Sequence, residues 1–130
     1  MKHWALAYIG KPWVAGGRGP IDMDCWGLAI QVYKEQLGVD LPEFHSIGAR
    51  DTKSVAKTFN TQTFARLVTK PQEFDLVGMS MNKNEHHVGI FVEEQGGGIL
   101  HNQENSGVVF SSVLHIKQLG YTNLNYYRYV

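Results

Sequence analysis

Asp24-Cys25-Trp26-Gly27-Leu28-Ala29-Ile30-Gln31-Val32-Tyr33-Lys34-Glu35-Gln36-Leu37-Gly38 is the stretch on which the fold turns. Trp26, Ile30, Tyr33 and Leu37 recur at near-helical spacing, and Leu28, Ala29 and Val32 widen the apolar face. Asp24 is a suitable N-cap and Gly38 a suitable terminator, so a helix is expected over residues 25–37. The cysteine therefore falls in a first helical turn. Unpaired N–H groups and the positive end of the helix dipole there favour thiolate over thiol, and the same N–H groups can hold an oxyanion. Position alone does not separate this reading from a buried structural cysteine, a common fate of a lone Cys.

Upstream, residues 3–9 form a short expected helix with Trp4, Leu6, Tyr8 and Ile9 partly buried. Residues 10–23 read as loop, broken by Pro12, Gly16, Gly17, Gly19 and Pro20. Gly16-Gly17-Arg18-Gly19 lacks a following Lys-Ser/Thr and follows no strand, which argues against a phosphate loop. Its glycines suit a sharp turn or a close backbone approach. Downstream, a second helix is expected at about 53–59, and residues 43–72 otherwise carry no interpretable motif.

From Phe74 the pattern becomes strand-like, with runs at 75–80, 87–92, 99–102, 108–110 and 126–130 and a short helix near 112–119. Gly96-Gly97-Gly98 suits a hairpin connection. Helices first and an antiparallel sheet second give an α+β fold in one domain spanning residues 1–130.

Composition narrows the function. Twelve basic residues balance twelve acidic ones, so no excess charge draws the chain to nucleic acid or an anionic membrane. The single cysteine excludes an internal disulfide. No run approaches the roughly 20 apolar residues of a membrane span, and the N-terminal residues lack the pattern of a secretory signal.

His87 opens the run in which Val88, Ile90 and Val92 alternate with His87, Gly89 and Phe91. It lies opposite the aliphatic face, beside a glycine that leaves room for another group. An imidazole is a suitable base for a thiol, although a surface histidine at a strand end fits the same pattern. His101, on the next strand, could orient His87 through a ring hydrogen bond. A symmetric hairpin centred on Gly96 instead sets His101 opposite Phe91, about 13 Å along from His87, and Asn105 opposite His87. Asn105 competes with His101 on pattern. A zinc site from Cys25, His86, His87 and His101 has no recognised ligand spacing.

Three segments together resemble the NlpC/P60 family of cell-wall cysteine peptidases. Tyr8 to Gly17 is similar to that family's N-terminal stretch, Asp24-Cys25-Trp26-Gly27-Leu28 to its nucleophile motif, and His87-Val88-Gly89-Ile90 to its general-base motif. Ile99-Leu100-His101 matches the segment with the third polar residue, and Phe74-Asp75-Leu76-Val77 the strand before the histidine. The resemblance implies a papain-like α+β fold in which Cys25 attacks, His87 exchanges protons and His101, rather than Asn105, orients His87. It implies a peptidoglycan stem peptide as substrate, cut between D-glutamate and a diamino acid, with no metal or organic cofactor. Trp13, Asp24 and Trp26 are the candidate substrate-contacting residues.

Two departures stand out. Trp13 occupies a position where the family often has tyrosine, leaving only an indole N–H as donor, and Trp26 replaces the serine common after the cysteine. With Gly16-Gly17-Arg18-Gly19-Pro20, this version resembles the one encoded among phage tail genes. That resemblance implies tail-tip proteins as partners and delivery to the wall by a virion. Two rival readings are a catalytically degenerate tail or wall-binding protein, and a cysteine amidase or acyltransferase on the same scaffold.

Overall fold

Asp24 starts the central helix as its sequence position demands. Its Oδ1 accepts the Gly27 N–H at 2.8 Å, which caps α2 (Cys25–Val32). The last turn, Tyr33–Leu37, widens into a π-helix and stops at Gly38, whose φ of 65° is the left-handed value glycine adopts freely. The apolar periodicity carries no mark of that widening.

The computed structural model describes residues 3–43, 64–81, 87–94 and 96–130. The N-terminal helix α1 is short, His3–Leu6. Trp4, Ala5 and Tyr8 are buried, but Leu6 and Ile9 face solvent, contrary to expectation. The expected helix at 53–59 lies outside the described residues.

Six strands follow: β1 (Ala65–Val68), β2 (Leu76–Ser80), β3 (His87–Val92), β4 (Gly98–Gln103), β5 (Gly107–Ser112) and β6 (Asn123–Tyr129). They form one antiparallel sheet in the order β1-β6-β2-β3-β4-β5. Helix α3 (Val113–Gln118) links β5 to β6 and is capped by the Ser112 hydroxyl. Of these elements only β1 escaped the sequence reading. Its Ala-Arg-Leu-Val run is short, half exposed and paired on one side, to β6.

Side chains alternate between two apolar layers. Val88, Ile90, Val92, Leu76, Leu100, Val108 and Tyr127 pack with the buried face of α2. Val77, Met79, Phe91 and Ile99 pack on the other side with Ile116 of α3 and Tyr121. Both faces of the central strands are covered, so the sheet holds β3 and β4 rigidly beneath the start of α2. Among the described residues no helix is long and apolar enough to cross a membrane.

The β3–β4 register differs from the idealised hairpin. Gly89 pairs with His101, Ile90 with Leu100 and Phe91 with Ile99. The turn is thus centred one residue earlier than Gly96, and His101 moves from opposite Phe91 to opposite Gly89. A slide of two residues keeps every side chain on its face, so the hydrophobic pattern could not have distinguished the two registers.

Candidate active site

Cys25 begins α2 and is almost fully buried, at 3% exposure. Burial pushes its thiol up to about 12, and the Asp24 carboxylate adds to the effect. Hydrogen bonds from the Val88 and Trp26 backbone N–H groups and the charge of Arg18 pull the other way without prevailing. Burial thus works against the thiolate that the helix terminus favours. Desolvation outweighs the helix terminus, so the neutral thiol is favoured.

His87, the candidate base, opens β3 one residue before Val88, whose backbone N–H hydrogen-bonds the Cys25 sulfur. His87 is buried, and its Nε2 lies 3.0 Å from His101 Nδ1. His101 sits across from Gly89 and diagonally from His87, a separation two ring side chains can bridge. Gly89 makes this possible: a Cβ there would lie 2.9 Å from the Leu100 carbonyl oxygen and 3.1 Å from the His101 Cβ. The ring of Tyr121 stacks on His87 with centroids 5.4 Å apart and planes at 18°. Burial first, and an electrostatic contribution from Cys25 second, raise the Tyr121 phenol. The stretch around Tyr121 carried no motif, so sequence reasoning missed it.

His101 has no exposed surface, and its Nε2 lies 3.1 Å from Ser111 Oγ. Burial, with the charge of His115 second, holds its imidazole down at about 4. It is therefore neutral at pH 7 and can accept a bond from His87. The sign for stability follows. Between about 6.5 and about 4 the unfolded chain binds a proton that folded His101 refuses, so stability falls as pH drops through that window. The full loss is about 3 kcal/mol at 1.36 kcal/mol per pH unit. Urea unfolding at pH 7 and pH 4 should show this drop in the wild-type chain and a smaller one in His101→Gln; equal drops would refute it.

The other sequence candidates take different places. Asp24 and Trp26 have no exposed surface, so neither meets a substrate directly. Asp24 instead organises the preceding loop: Oδ1 accepts from Arg18 Nη1 at 2.6 Å as well as from Gly27, and Oδ2 accepts the Gly16 N–H at 3.1 Å. Trp26 fills the core, and its indole donates to the Pro42 carbonyl at 3.0 Å. Gly17 serves the protein's own packing, since a Cβ there would come within 2.6 Å of the Asp22 carbonyl oxygen. Asn105 is an exposed turn residue at φ 71° between β4 and β5. It lines a cleft of about 540 Å³ together with Trp13, Pro12 and Glu104, and neither Cys25 nor His87 lines that cleft. Trp13 is half-buried and bridges to Met23, one residue before Asp24. His86 lies outside the described residues, among which no three His, Cys, Asp or Glu side chains converge as metal ligands.

Asn102 was not anticipated, although a polar residue on the aliphatic face of β4 is an informative anomaly. Fully buried, its Nδ2 donates to the Met23 carbonyl at 2.5 Å and the Asp24 carbonyl at 3.4 Å, tying the sheet to the entrance of α2. Its Oδ1 has no partner among the described residues. Asn102→Asp should lower stability by about 3 kcal/mol or more, because it removes the donor and buries an uncompensated charge. An unchanged melting temperature at pH 7 would contradict that role.

The comparisons with known proteins decide the lineage of this arrangement. The NlpC/P60 family model matches residues 10–122. The chain belongs to the NlpC/P60 family. Curated relatives include the probable endopeptidases p60 of Listeria seeligeri, 28% identical over 109 residues, and of Listeria monocytogenes serovar 1/2a, 29% identical over 109 residues. Each match covers 84% of this chain but only 18% and 19% of those relatives' lengths. Among solved structures, the NlpC/p60 domain of the peptidoglycan hydrolase SagA superposes with a TM-score of 0.64 at 23% identity, covering 95% of this chain and 92% of that one. An NLP/P60-family lipoprotein-like protein from Staphylococcus aureus subsp. aureus Mu50 superposes with a TM-score of 0.59 at 23% identity, covering 95% of this chain and 38% of that one. The NlpC/P60 fold accounts for the six-stranded antiparallel sheet and the helix that opens on Cys25.

Proposed function

We propose that this NlpC/P60 domain is a cysteine endopeptidase that hydrolyses stem-peptide amide bonds in peptidoglycan, between D-glutamate and a diamino acid. The observation that carries the reading is the 3.0 Å contact between His87 and His101, with His87 on the strand whose Val88 N–H hydrogen-bonds the Cys25 sulfur. Cys25 Sγ attacks the carbonyl carbon as its proton passes to His87. The oxygen takes up the negative charge near the N–H groups at the start of α2. Collapse breaks the C–N bond, and the amine leaves with the proton from His87. Water, deprotonated by His87, then attacks the thioester carbonyl; the C–S bond breaks, the acid product is released, and the leaving thiolate takes the proton back from His87. His101 stays neutral and orients the base.

Mass spectrometry of muropeptides after digestion of purified walls tests this reading. New fragments ending in D-glutamate, absent with Cys25→Ala, are expected; an unchanged profile would overturn it. Transfer to an added amine in place of hydrolysis would assign the same site to an acyltransferase. A degenerate, wall-binding role is the second reading, favoured by the buried neutral thiol and by the missing hydroxyl at Trp13. Binding to walls without new fragments would establish it.

Delivery is also proposed, as carriage on a virion tail alongside other tail-tip proteins. The loop Gly16-Gly17-Arg18-Gly19-Pro20 and Trp26, which resemble the tail-encoded version of the domain, support it. Proteomics of purified phage particles should find the chain; its absence would remove this part.

A further inference from the structure

Three polar side chains step diagonally across three neighbouring strands on one face of the sheet. His87 on β3 meets His101 on β4, and His101 meets Ser111 on β5. The register explains the line: Gly89 is the direct partner of His101, and Ile99 is the direct partner of Ser111. Each link therefore joins a residue to one placed two positions from its direct partner. All three are buried, so water does not compete for these bonds. His115, on α3, is the further titratable group that acts on His101, and Tyr121 stacks on His87.

We propose that Ser111 is a positioning residue that sets the tautomers of both histidines, a role that rests on the reading of His87 as the base. Its Oγ accepts a hydrogen bond from Nε2–H of His101. That leaves Nδ1 of His101 as an acceptor, which takes the Nε2–H of His87. His87 is then left with an unprotonated Nδ1, the ring nitrogen that receives the Cys25 proton. When it does, His87 becomes a cation with a proton on each nitrogen, and it keeps its bond to His101; no proton moves on to His101 or Ser111. The reverse polarity is unproductive. Were Ser111 to donate to His101 Nε2, His101 would carry its proton on Nδ1, and His87 would carry its own on Nδ1 with no lone pair there for the thiol. His115 opposes the other failure, protonation of His101, by its charge.

The test uses the full chain. Nitrogen-15 NMR at pH 7 should show His101 protonated on Nε2, and Ser111→Ala should lose that preference. With stem-peptide substrate, Ser111→Ala should lower kcat about tenfold or more with KM little changed, since a wrongly set tautomer disables the base without removing it. Ser111→Thr, which keeps the hydroxyl on a strand-compatible side chain, should recover most of the rate. His101 protonated on Nδ1 in the wild-type chain would overturn the proposal. So would a Ser111→Ala variant that keeps both the wild-type tautomer and the wild-type kcat. If the wild-type chain cleaves no stem peptide, the hydrolase reading has failed, and the NMR comparison alone decides the role of Ser111.

Discussion

Cys25→Ala should lower the rate of stem-peptide cleavage by about 10⁴-fold or more, leaving the fold in place. Removing the nucleophile of a hydrolytic triad abolishes the covalent route and leaves only the residual effect of bound substrate and oxyanion donors. The structural cost is small by comparison. The sulfur accepts backbone hydrogen bonds from Val88 and Trp26, and losing a buried acceptor costs about 1–3 kcal/mol. Circular dichroism and thermal unfolding should therefore show a folded, slightly weakened protein. Cleavage by Cys25→Ala at the wild-type rate would remove the cysteine from the chemistry.

Burial of the thiol changes how this site should be probed. An exposed, activated cysteine would alkylate quickly with iodoacetamide near pH 6, whereas a thiol at 3% exposure and pushed up to about 12 should react slowly there. Slow alkylation is thus expected of a competent enzyme as well as of a degenerate one. Product analysis separates them because only a competent site turns stem peptide into new fragments, whatever the resting state of the thiol.

Legibility in the sequence followed the range of the interactions. Local signals were sufficient for α2, whose apolar spacing, Asp24 cap and Gly38 terminator all appear in the structure. They were sufficient for five strands and for α3, where the hydrophobic period and the turn residues agree. Strand β1 was opaque because an edge strand needs only half a buried face. The neighbours of Cys25 were misread for a different reason. Proximity in sequence to a nucleophile suggested contact with substrate, but a residue that caps a helix or follows its first position points into the protein. Asp24 spends its carboxylate on the loop, and Trp26 fills the core. Ser111, Tyr121 and Asn102 reach the site only through pairings between distant segments, and no spacing along the chain encodes those.

The register of β3 and β4 is the finest case, and Gly89 is where it can be tested. Gly89→Ala should lower cleavage by roughly 10²-fold, because small displacements of a positioned catalytic group carry costs of that size. It should also lower stability by about 1–3 kcal/mol, the usual range for overpacking. The added methyl would stand 2.9 Å from the Leu100 carbonyl oxygen and 3.1 Å from the His101 Cβ, both in a strand covered on its two faces. Relief requires β4 to move away from β3, and that movement lengthens the 3.0 Å bond between His87 Nε2 and His101 Nδ1. Loss of the bond frees both rings to change tautomer, so the rate should fall further than the stability alone accounts for. Kinetics at a temperature where the variant is fully folded separate the two effects. A folded Gly89→Ala protein with wild-type kcat would mean that the His87–His101 contact does not serve catalysis.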